Sequence, residues 1–173
     1  DRAGEMETII RKIMAVTKDF TGTLILNGDD PNVLRLKDNA EKAKTLLFSV
    51  GKNEESLLET DEASEGKFCP RCGNRLHYDY YQYSHIGRFN CPKDHYGEIT
   101  PDIFVEKVDK EKGTFVVNNT EFHSFINALY AIYNCASVLC VMKSLNLDLS
   151  NADKVFRTYS LKEGRNEAFK LNK

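Results

Sequence analysis

The sequence lacks both a long apolar run and an excess of either charge. No apolar stretch approaches the roughly 20 residues that a membrane-spanning helix needs, and no signal segment begins the chain. The 173 residues carry 26 acidic and 24 basic side chains, without the basic stripe that neutralises nucleic-acid phosphates. We therefore expect neither a membrane span nor nucleic-acid binding. Composition also excludes disorder, collagen and coiled coil, and it predicts one globular domain with a small insertion.

The number and distribution of the cysteines argue against a disulfide framework. The five cysteines are an odd number: Cys69, Cys72 and Cys91 lie in a polar, turn-rich stretch, whereas Cys135 and Cys140 lie in an apolar one. A Cys-x-x-Cys pair followed by a third cysteine near 20 residues later is typical of metal binding in a reducing cytosol. We therefore expect a cytoplasmic protein in which the last two cysteines are small apolar residues of a buried helix.

Hydrophobic periodicity predicts an α/β fold in the first part of the chain. Apolar residues recur at helical spacing from Gly4 to Phe20, and short apolar runs at 23–26 and 45–50 are typical of strands buried on both faces. Between these strands, Asp30 can cap a helix that begins at Pro31. Strand, helix and strand in this order predict a parallel pair joined by a right-handed crossover.

An acidic stretch marks the boundary of an insertion. Residues 53–65 contain six acidic side chains and no basic ones, which is typical of a solvated linker. We therefore divide the chain into a first part over 1–66, an insertion over 67–100 and a second part over 101–173. Four elements are predicted in the second part: a hairpin over 103–117, a largely buried helix over 127–145, a shorter helix over 151–159 and a final strand over 165–171.

The strongest local motif is Cys-Pro-Arg-Cys-Gly at residues 69–73, which has the form of a zinc knuckle. Two thiolates lie two residues apart, a proline fixes the turn, and a glycine relieves the backbone after the second sulfur. After a further 18 residues, Cys-Pro at 91–92 repeats the start of a knuckle. This spacing predicts a zinc ribbon, in which two hairpins hold one tetrahedral ion. The tyrosines between the knuckles are expected to pack this hairpin rather than to stack on bases.

Three ligands of the predicted ion are Cys69, Cys72 and Cys91, and the fourth is open. We favour His95, because zinc prefers imidazole to carboxylate in structural sites. Four protein ligands leave no coordination position for water, so we expect a structural zinc ion rather than a catalytic one. A site that has lost its fourth ligand and is only weakly filled is a further interpretation. The first alternative to His95 is Asp94, and His85 or His77 are less favoured alternatives.

Separated motifs connect these pieces to a known family. They are Asp-Arg-Ala-Gly-Glu at 1–5, Leu-Asn-Gly-Asp-Asp-Pro at 26–31, the ribbon at 69–97, the helix at 129–136 and Gly-Arg-Asn-Glu at 164–167. In this order they resemble the central domain of the Mur ligase superfamily. The narrower resemblance is to the ligase subunit of lipid II isoglutaminyl synthase, the MurT type, whose central domain carries a zinc ribbon insertion. It implies an α/β fold, a partial central domain with a mostly parallel sheet and an inserted β-rich ribbon.

The resemblance also implies two nucleotide contacts. Asn134 on the long helix would contact the adenine of ATP, and Arg165 would reach the nucleotide from the following segment. An amide offers the donor and acceptor that an adenine edge requires. The less favoured alternative for Asn134 is a satisfied core amide, and the alternative for Arg165 is a surface charge. Ala131 and Ala128 replace an asparagine and a glycine of the family's helix motif, so a diverged homologue that binds no nucleotide is a further alternative.

Polar residues after the first predicted strand have two interpretations. Asn27, Asp29 and Asp30 follow that strand, and open α/β sheets bind ligands at this edge. The same residues also form an ordinary turn and helix cap. Both interpretations stay open from the sequence alone.

The activity implied by the resemblance is an ATP-dependent amide ligation in peptidoglycan synthesis. The ligase would activate the α-carboxylate of the D-glutamate in lipid II as an acyl phosphate, and ammonia from a partner glutaminase subunit would attack it to leave isoglutamine. Such chemistry uses ATP and magnesium, and it would take place in the bacterial cytoplasm, at the inner face of the membrane.

The sequence contains no Gly-x-x-x-x-Gly-Lys-Ser/Thr loop, which in the family precedes the first motif. Because the first residue is Asp1 rather than methionine, we expect a piece of a longer protein that is inactive alone and prone to self-association through exposed sheet edges. The alternative function is a zinc ribbon interaction module without catalysis.

Overall fold

The computed structural model describes residues 2–60 and 66–159 of the chain. The helices are α1 (Arg2–Thr17), α2 (Pro31–Leu34), α3 (Leu36–Asn39), α4 (Leu129–Ser144) and α5 (Asn151–Thr158). The strands are β1 (Thr23–Asn27), β2 (Lys44–Val50), β3 (His77–Tyr83), β4 (Ile86–Asn90), β5 (Ile103–Asp109), β6 (Thr114–Val117) and β7 (Thr120–His123). The strand predicted over 165–171 lies outside the described residues.

The main sheet confirms the predicted α/β class and its parallel pair. Its strand order is β1-β2-β5-β6-β7. Strands β1, β2 and β5 are parallel, and β6 and β7 extend the sheet as antiparallel neighbours, which confirms the predicted 103–117 hairpin. Strand β7 was not predicted, because only Phe122 of its four residues is buried and so short a run carries no clear alternation.

Local sequence explains where two of the helices begin and which faces they bury. Asp30 caps α2 as predicted, accepting hydrogen bonds from the backbone of Asn32 at 2.8 Å and Val33 at 3.3 Å, and Pro31 occupies the first helical position. Helix α4 buries one broad apolar face, but a stripe along its other side is exposed. That stripe contains Tyr130, Asn134, Val138 and Val141. The prediction of a largely buried helix therefore holds for one side of α4 only.

Two hydrophobic clusters cover the two faces of the sheet. Alternate residues of β2 separate them, since Phe48 belongs to the cluster with α4 and α5, whereas Leu47 belongs to the cluster with α1, α2 and α3. The buried cysteines are divided between the same two clusters. Cys135 and Cys140 are buried free thiols of the first cluster, as predicted, and Cys69 is part of the second.

The insertion packs against both clusters at the carboxyl ends of the parallel strands. Strands β3 and β4 form a separate two-stranded sheet. From β4, Ile86 joins the cluster beneath α4, whereas Phe89 joins the cluster that contains Cys69. The insertion is therefore fastened to the body of the protein by apolar packing as well as by its own turns. None of the described helices is long and apolar enough to cross a membrane.

Candidate functional site

Four side chains of the insertion converge on one point. The ligand atoms of Cys69, Cys72, Cys91 and His95 all lie within 4.8 Å of one another, and these four residues could hold a metal ion. The Nδ1 atom of His95 is 3.5 Å from the Sγ of Cys69 and 3.6 Å from the Sγ of Cys91. The sulfurs of Cys72 and Cys91 are 3.7 Å apart, so they do not form a disulfide.

These distances agree with the edges of a zinc tetrahedron. With Zn–S distances of about 2.3 Å and Zn–N distances of about 2.0 Å, neighbouring sulfurs are about 3.8 Å apart, and a sulfur and a nitrogen are about 3.5 Å apart. Three thiols and one imidazole are also a donor set that zinc accepts in structural sites. The residues present therefore fit a four-coordinate zinc ion in both chemistry and geometry.

Tight turns place the ligands. At the first knuckle, the backbone N–H of Gly73 donates to the carbonyl of Cys69 at 2.8 Å, and Gly73 adopts a φ of +70°, which favours glycine. At the second, the N–H of Asp94 donates to the carbonyl of Cys91 at 2.8 Å. The two turns belong to the segments whose ligand atoms converge on one point.

The local surroundings of Cys72 make its thiol more acidic than an ordinary cysteine thiol. Desolvation opposes its ionisation, but the backbone and side chain of Asn74 donate hydrogen bonds to it, and together with the neighbouring thiols they lower the pKa of Cys72 to about 6. The side-chain amide of Asn74 is 3.3 Å from this sulfur. Metal ions bind thiolates rather than thiols, so this environment favours the metal-binding form.

The alternative fourth ligands lie outside the cluster. Asp94, which follows Cys91 by three residues, is not among the converging side chains. His77 is exposed and lies 3.7 Å from a carboxylate oxygen of Asp79, whereas the Nε2 of His85 lies 3.4 Å from Asp30. Of the candidates weighed from the sequence, the structure brings only His95 to the three cysteines.

Arg71 fastens the first knuckle to the body of the protein. Its guanidinium group donates hydrogen bonds to the carboxylate of Asp38 in α3 and to the carbonyl oxygen of His95. The same group lies over the ring of Tyr96, with its Cζ atom 5.0 Å from the ring centroid. One side chain therefore connects both knuckles and a helix of the main fold.

A second feature of interest is an apolar cavity beside α4. The cavity has a volume of about 290 Å³, and Asn134 is one of its lining residues. Phe125 and Tyr159 meet edge to face there, with ring centroids 5.2 Å apart. The other lining residues are Cys135, Val138, Val155 and Phe156. Because the amide of Asn134 is exposed, it is not the satisfied core amide of the alternative interpretation. Arg165 lies outside the described residues.

The polar residues after β1 have structural partners. The side chain of Asn27 accepts a hydrogen bond from the N–H of Asp29 at 3.0 Å, and Asp30 caps α2. Asp29 itself is fully buried. Its Oδ2 atom accepts from the N–H of Val50 at 2.8 Å and from the hydroxyl of Tyr133 on α4 at 2.7 Å. The sequence predicted the turn but not the hydrogen bond between Asp29 and α4. The Tyr-Asn pair at 133–134 was the feature of the sequence that pointed to this part of the helix.

Burial dominates the ionisation of Asp29. Desolvation raises the pKa of its carboxyl group, although the hydrogen bonds from Val50 and Tyr133 act in the opposite direction. Its Oδ1 atom has no hydrogen-bond partner among the described residues. The phenol of Tyr133 is correspondingly harder to ionise, because burial and the nearby carboxylate raise its pKa.

The tyrosines of the insertion are used in packing. Tyr78 stacks on Tyr81 with ring centroids 4.2 Å apart, and the ring of Tyr83 meets that of Tyr133 edge to face at 5.7 Å. The hydroxyl of Tyr80 donates to the carbonyl of Val50 at 3.2 Å. These contacts agree with the expectation that the aromatic rings pack the hairpin rather than stack on bases.

Comparison with known proteins identifies relatives along nearly the whole chain. No family model matches. The chain is 28% identical over 171 residues to the lipid II isoglutaminyl synthase (glutamine-hydrolyzing) subunit MurT of Staphylococcus aureus strain COL, which covers 98% of this chain. It is 27% identical over 177 residues to the MurT subunit of Streptococcus pneumoniae strain R6, which covers 99% of this chain. The chain spans 38% of the length of these curated relatives.

A solved structure shows the same fold. The pseudomurein peptide ligase type C from Methanothermus fervidus superposes with a TM-score of 0.72 at 20% identity, covering 91% of this chain and 31% of that protein. The resemblance to the MurT subunit and to the Mur-ligase-like fold, inferred from the sequence motifs, is therefore confirmed.

Proposed function

We propose that this chain is part of the ligase subunit that amidates the D-glutamate α-carboxylate of lipid II, and that it supplies an adenine-binding cavity and a structural zinc ribbon. Its similarity to MurT supports the pathway. The observation that carries the proposal is the cavity beside α4, where Asn134 is the amide in an otherwise apolar lining. An apolar cavity with few polar groups is a typical site for a small organic ligand, such as a purine base.

The roles of the side chains follow from their chemistry. The amide of Asn134 can donate to one atom of the adenine edge and accept from another, while the rings of Phe125 and Tyr159 exclude water from the base. Arg165, which resembles the arginine of the family's Gly-Arg motif, would contact the nucleotide from the next segment. No residue of this chain is assigned to bond making, and the phosphate-binding loop and magnesium site would belong to the full-length protein.

Titration with nucleotide tests the adenine cavity. We expect ATP to shift the ¹⁵N–¹H resonances of Asn134 and its neighbours in the 173-residue chain, whereas GTP leaves them in place. Asn134→Ala should weaken ATP binding about fivefold or more, the effect of losing one hydrogen bond. Asn151→Ala is the matched control, because it makes the same change at an exposed helix position outside the cavity. Equal shifts with GTP, or unchanged affinity in Asn134→Ala, would contradict the adenine site.

The metal centre would hold zinc through Cys69, Cys72, Cys91 and His95. With four protein ligands, bound zinc cross-links the two knuckles and offers no position for a substrate. Elemental analysis of the purified chain should find about one zinc per chain. His95→Ala should lose most of this metal and Asp94→Ala should retain it, because only the imidazole points into the cluster. Zinc loss in Asp94→Ala alone, or no zinc in the parent, would overturn this ligand set.

The reaction of the full-length protein would proceed in two steps. Transfer of the γ-phosphoryl group of ATP to the α-carboxylate of the D-glutamate would give an acyl phosphate and ADP, and attack by ammonia would form the amide and release phosphate. A partner glutaminase would supply the ammonia, which accords with the relatives being named as subunits of a glutamine-hydrolysing synthase. We place this reaction in the bacterial cytoplasm, at the inner face of the membrane.

A further inference from the structure

One buried residue touches three separate parts of the fold. The carboxylate of Asp29 accepts hydrogen bonds from β2, through the N–H of Val50, and from α4, through the hydroxyl of Tyr133. Its backbone carbonyl accepts a third hydrogen bond, at 3.0 Å, from the N–H of Gly87 in strand β4 of the insertion. Asp29 is therefore a junction between the main sheet, the long helix and the insertion.

The insertion also contacts the same tyrosine directly. The ring of Tyr83, at the end of β3, packs edge to face against the ring of Tyr133. Gln82 fixes this end of β3 on the sheet, since its Nε2 atom donates to the carbonyl of Val50 at 3.0 Å and to that of Gly51 at 2.9 Å. A movement of the hairpin would therefore displace Tyr133 in two ways: through the contact between its ring and Tyr83, and through Asp29, which accepts the hydrogen bond from its hydroxyl.

The metal centre closes the opposite end of the same hairpin. Cys91 directly follows the last residue of β4, and Cys72 and Cys69 precede β3 by a few residues. The cysteines are free thiols, so without a bound ion the two knuckles would be held together by packing and by the hydrogen bond from Arg71 to the carbonyl of His95. The hairpin thus links the metal ligands at one end to Tyr133 at the other.

The last step is from Tyr133 to the cavity. The two residues 133 and 134 are neighbours in α4, and successive helical side chains point about 100° apart. Tyr133 consequently faces the buried junction, while Asn134 faces the cavity. Any rotation of this turn of α4 would move the amide relative to Phe125 and Tyr159.

We propose that Asp29 and Tyr133 are positioning residues that couple the metal state of the insertion to the orientation of Asn134 in the cavity. Zinc in the four-ligand site orders the hairpin, the hairpin seats Tyr133 against Asp29, and this contact sets the rotation of α4 at Asn134. The inference rests on the proposed function for the zinc ion in the four-ligand site and for the identity of the ligand that occupies the cavity.

The test compares the zinc response of Asn134 in the parent and in Tyr133→Phe. The side-chain amide resonances of Asn134 are recorded in the 173-residue chain with one equivalent of zinc and after chelation. We expect them to shift on metal removal in the parent, and we expect most of this shift to be lost in Tyr133→Phe while that variant still binds zinc. Tyr130→Phe, the same change three residues earlier on the exposed side of α4, should respond to zinc as the parent does.

A second readout covers the case in which the metal-free chain unfolds. With zinc bound throughout, Tyr133→Phe should weaken ATP binding about threefold or more relative to Tyr130→Phe, at a temperature where both are folded. A purely structural role would lower the melting temperature and leave this affinity unchanged.

The outcomes separate the two proposals. The coupling would be overturned if the Asn134 resonances shifted equally on zinc removal in the parent and in Tyr133→Phe. If the metal-free chain does not fold, equal ATP affinities of Tyr133→Phe and Tyr130→Phe would overturn it. Absence of ATP binding in the parent would overturn the adenine site instead. The zinc response of the Asn134 resonances would then decide the coupling. If metal removal unfolds the chain, the comparison is between the Asn134 resonances of zinc-bound Tyr133→Phe and those of zinc-bound Tyr130→Phe.

Discussion

Substitution of Gly87 by alanine tests how tightly the insertion is built. A Cβ atom at this position would lie 2.8 Å from the Cα of Tyr81 and closer still to the carbonyl oxygen of Tyr80. Carbon atoms in contact are normally about 3.5–4.0 Å apart, so β3 and β4 would have to separate by about 1 Å. Overpacking of this kind costs about 1–3 kcal/mol, and a lengthened neighbouring hydrogen bond adds about 1 kcal/mol. We therefore expect Gly87→Ala to lower the free energy of unfolding by about 2–4 kcal/mol.

Urea denaturation of the zinc-loaded chain measures this loss. The chain has no tryptophan, so far-UV circular dichroism or tyrosine fluorescence must report unfolding. Gly113→Ala is the matched control: its added Cβ meets nothing within 4 Å, and its φ of +65° costs an alanine only about 1–2 kcal/mol. If Gly87→Ala proves no more destabilising than Gly113→Ala, the close approach of β3 and β4 described above is incorrect.

Three further results are expected. Burial raises the pKa of Asp29, so the folded protein binds this proton more tightly than the unfolded chain, and the stability contributed by Asp29 falls as pH rises from about 4 through the raised pKa. Urea titrations should therefore show the parent losing stability relative to Asp29→Asn over this range, and a constant difference would refute the burial effect. Burial also raises the pKa of Cys135 and Cys140 to about 11, so a thiol reagent should modify these two residues only after unfolding. Mass spectrometry can follow the modification, and prompt reaction in the native chain would argue against their burial. Strand β1 pairs on one side only among the described residues, so light scattering should show concentration-dependent self-association of the isolated chain, and a monomer at every concentration would show that this edge is protected.

The metal cluster could be found from the sequence because its information is local. Cys69 and Cys72 lie in one turn, Cys91 and His95 lie in another, and knuckle spacing is a property of the turns themselves. The choice of His95 over Asp94 followed from the preference of zinc for imidazole, and the structure places the imidazole at the cluster. The zinc itself and the roles of these ligands stay predictions.

The cavity and the buried junction depend on long-range packing and were less accessible. Asp29 and Tyr133 are 104 positions apart in the chain, and no periodicity relates a turn after β1 to the middle of α4. Likewise, Phe125 and Tyr159 meet only because α5 packs against β7, the strand that ends just before Phe125. The sequence motif pointed to Asn134, but the apolar surroundings of its side chain became visible only in three dimensions.

The position of the insertion in the chain has a consequence for folding kinetics. Strands β2 and β5 are parallel neighbours, with Phe48 opposite Ile103, and the chain between them includes the insertion. A parallel pair needs a crossover connection, which in most α/β proteins is a helix that forms rapidly by itself. Here the crossover contains the four candidate metal ligands, and the entropy of closing a loop depends on its effective length. Zinc binding would shorten that loop before β5 docks, so free zinc concentration would set the rate at which the central sheet is completed.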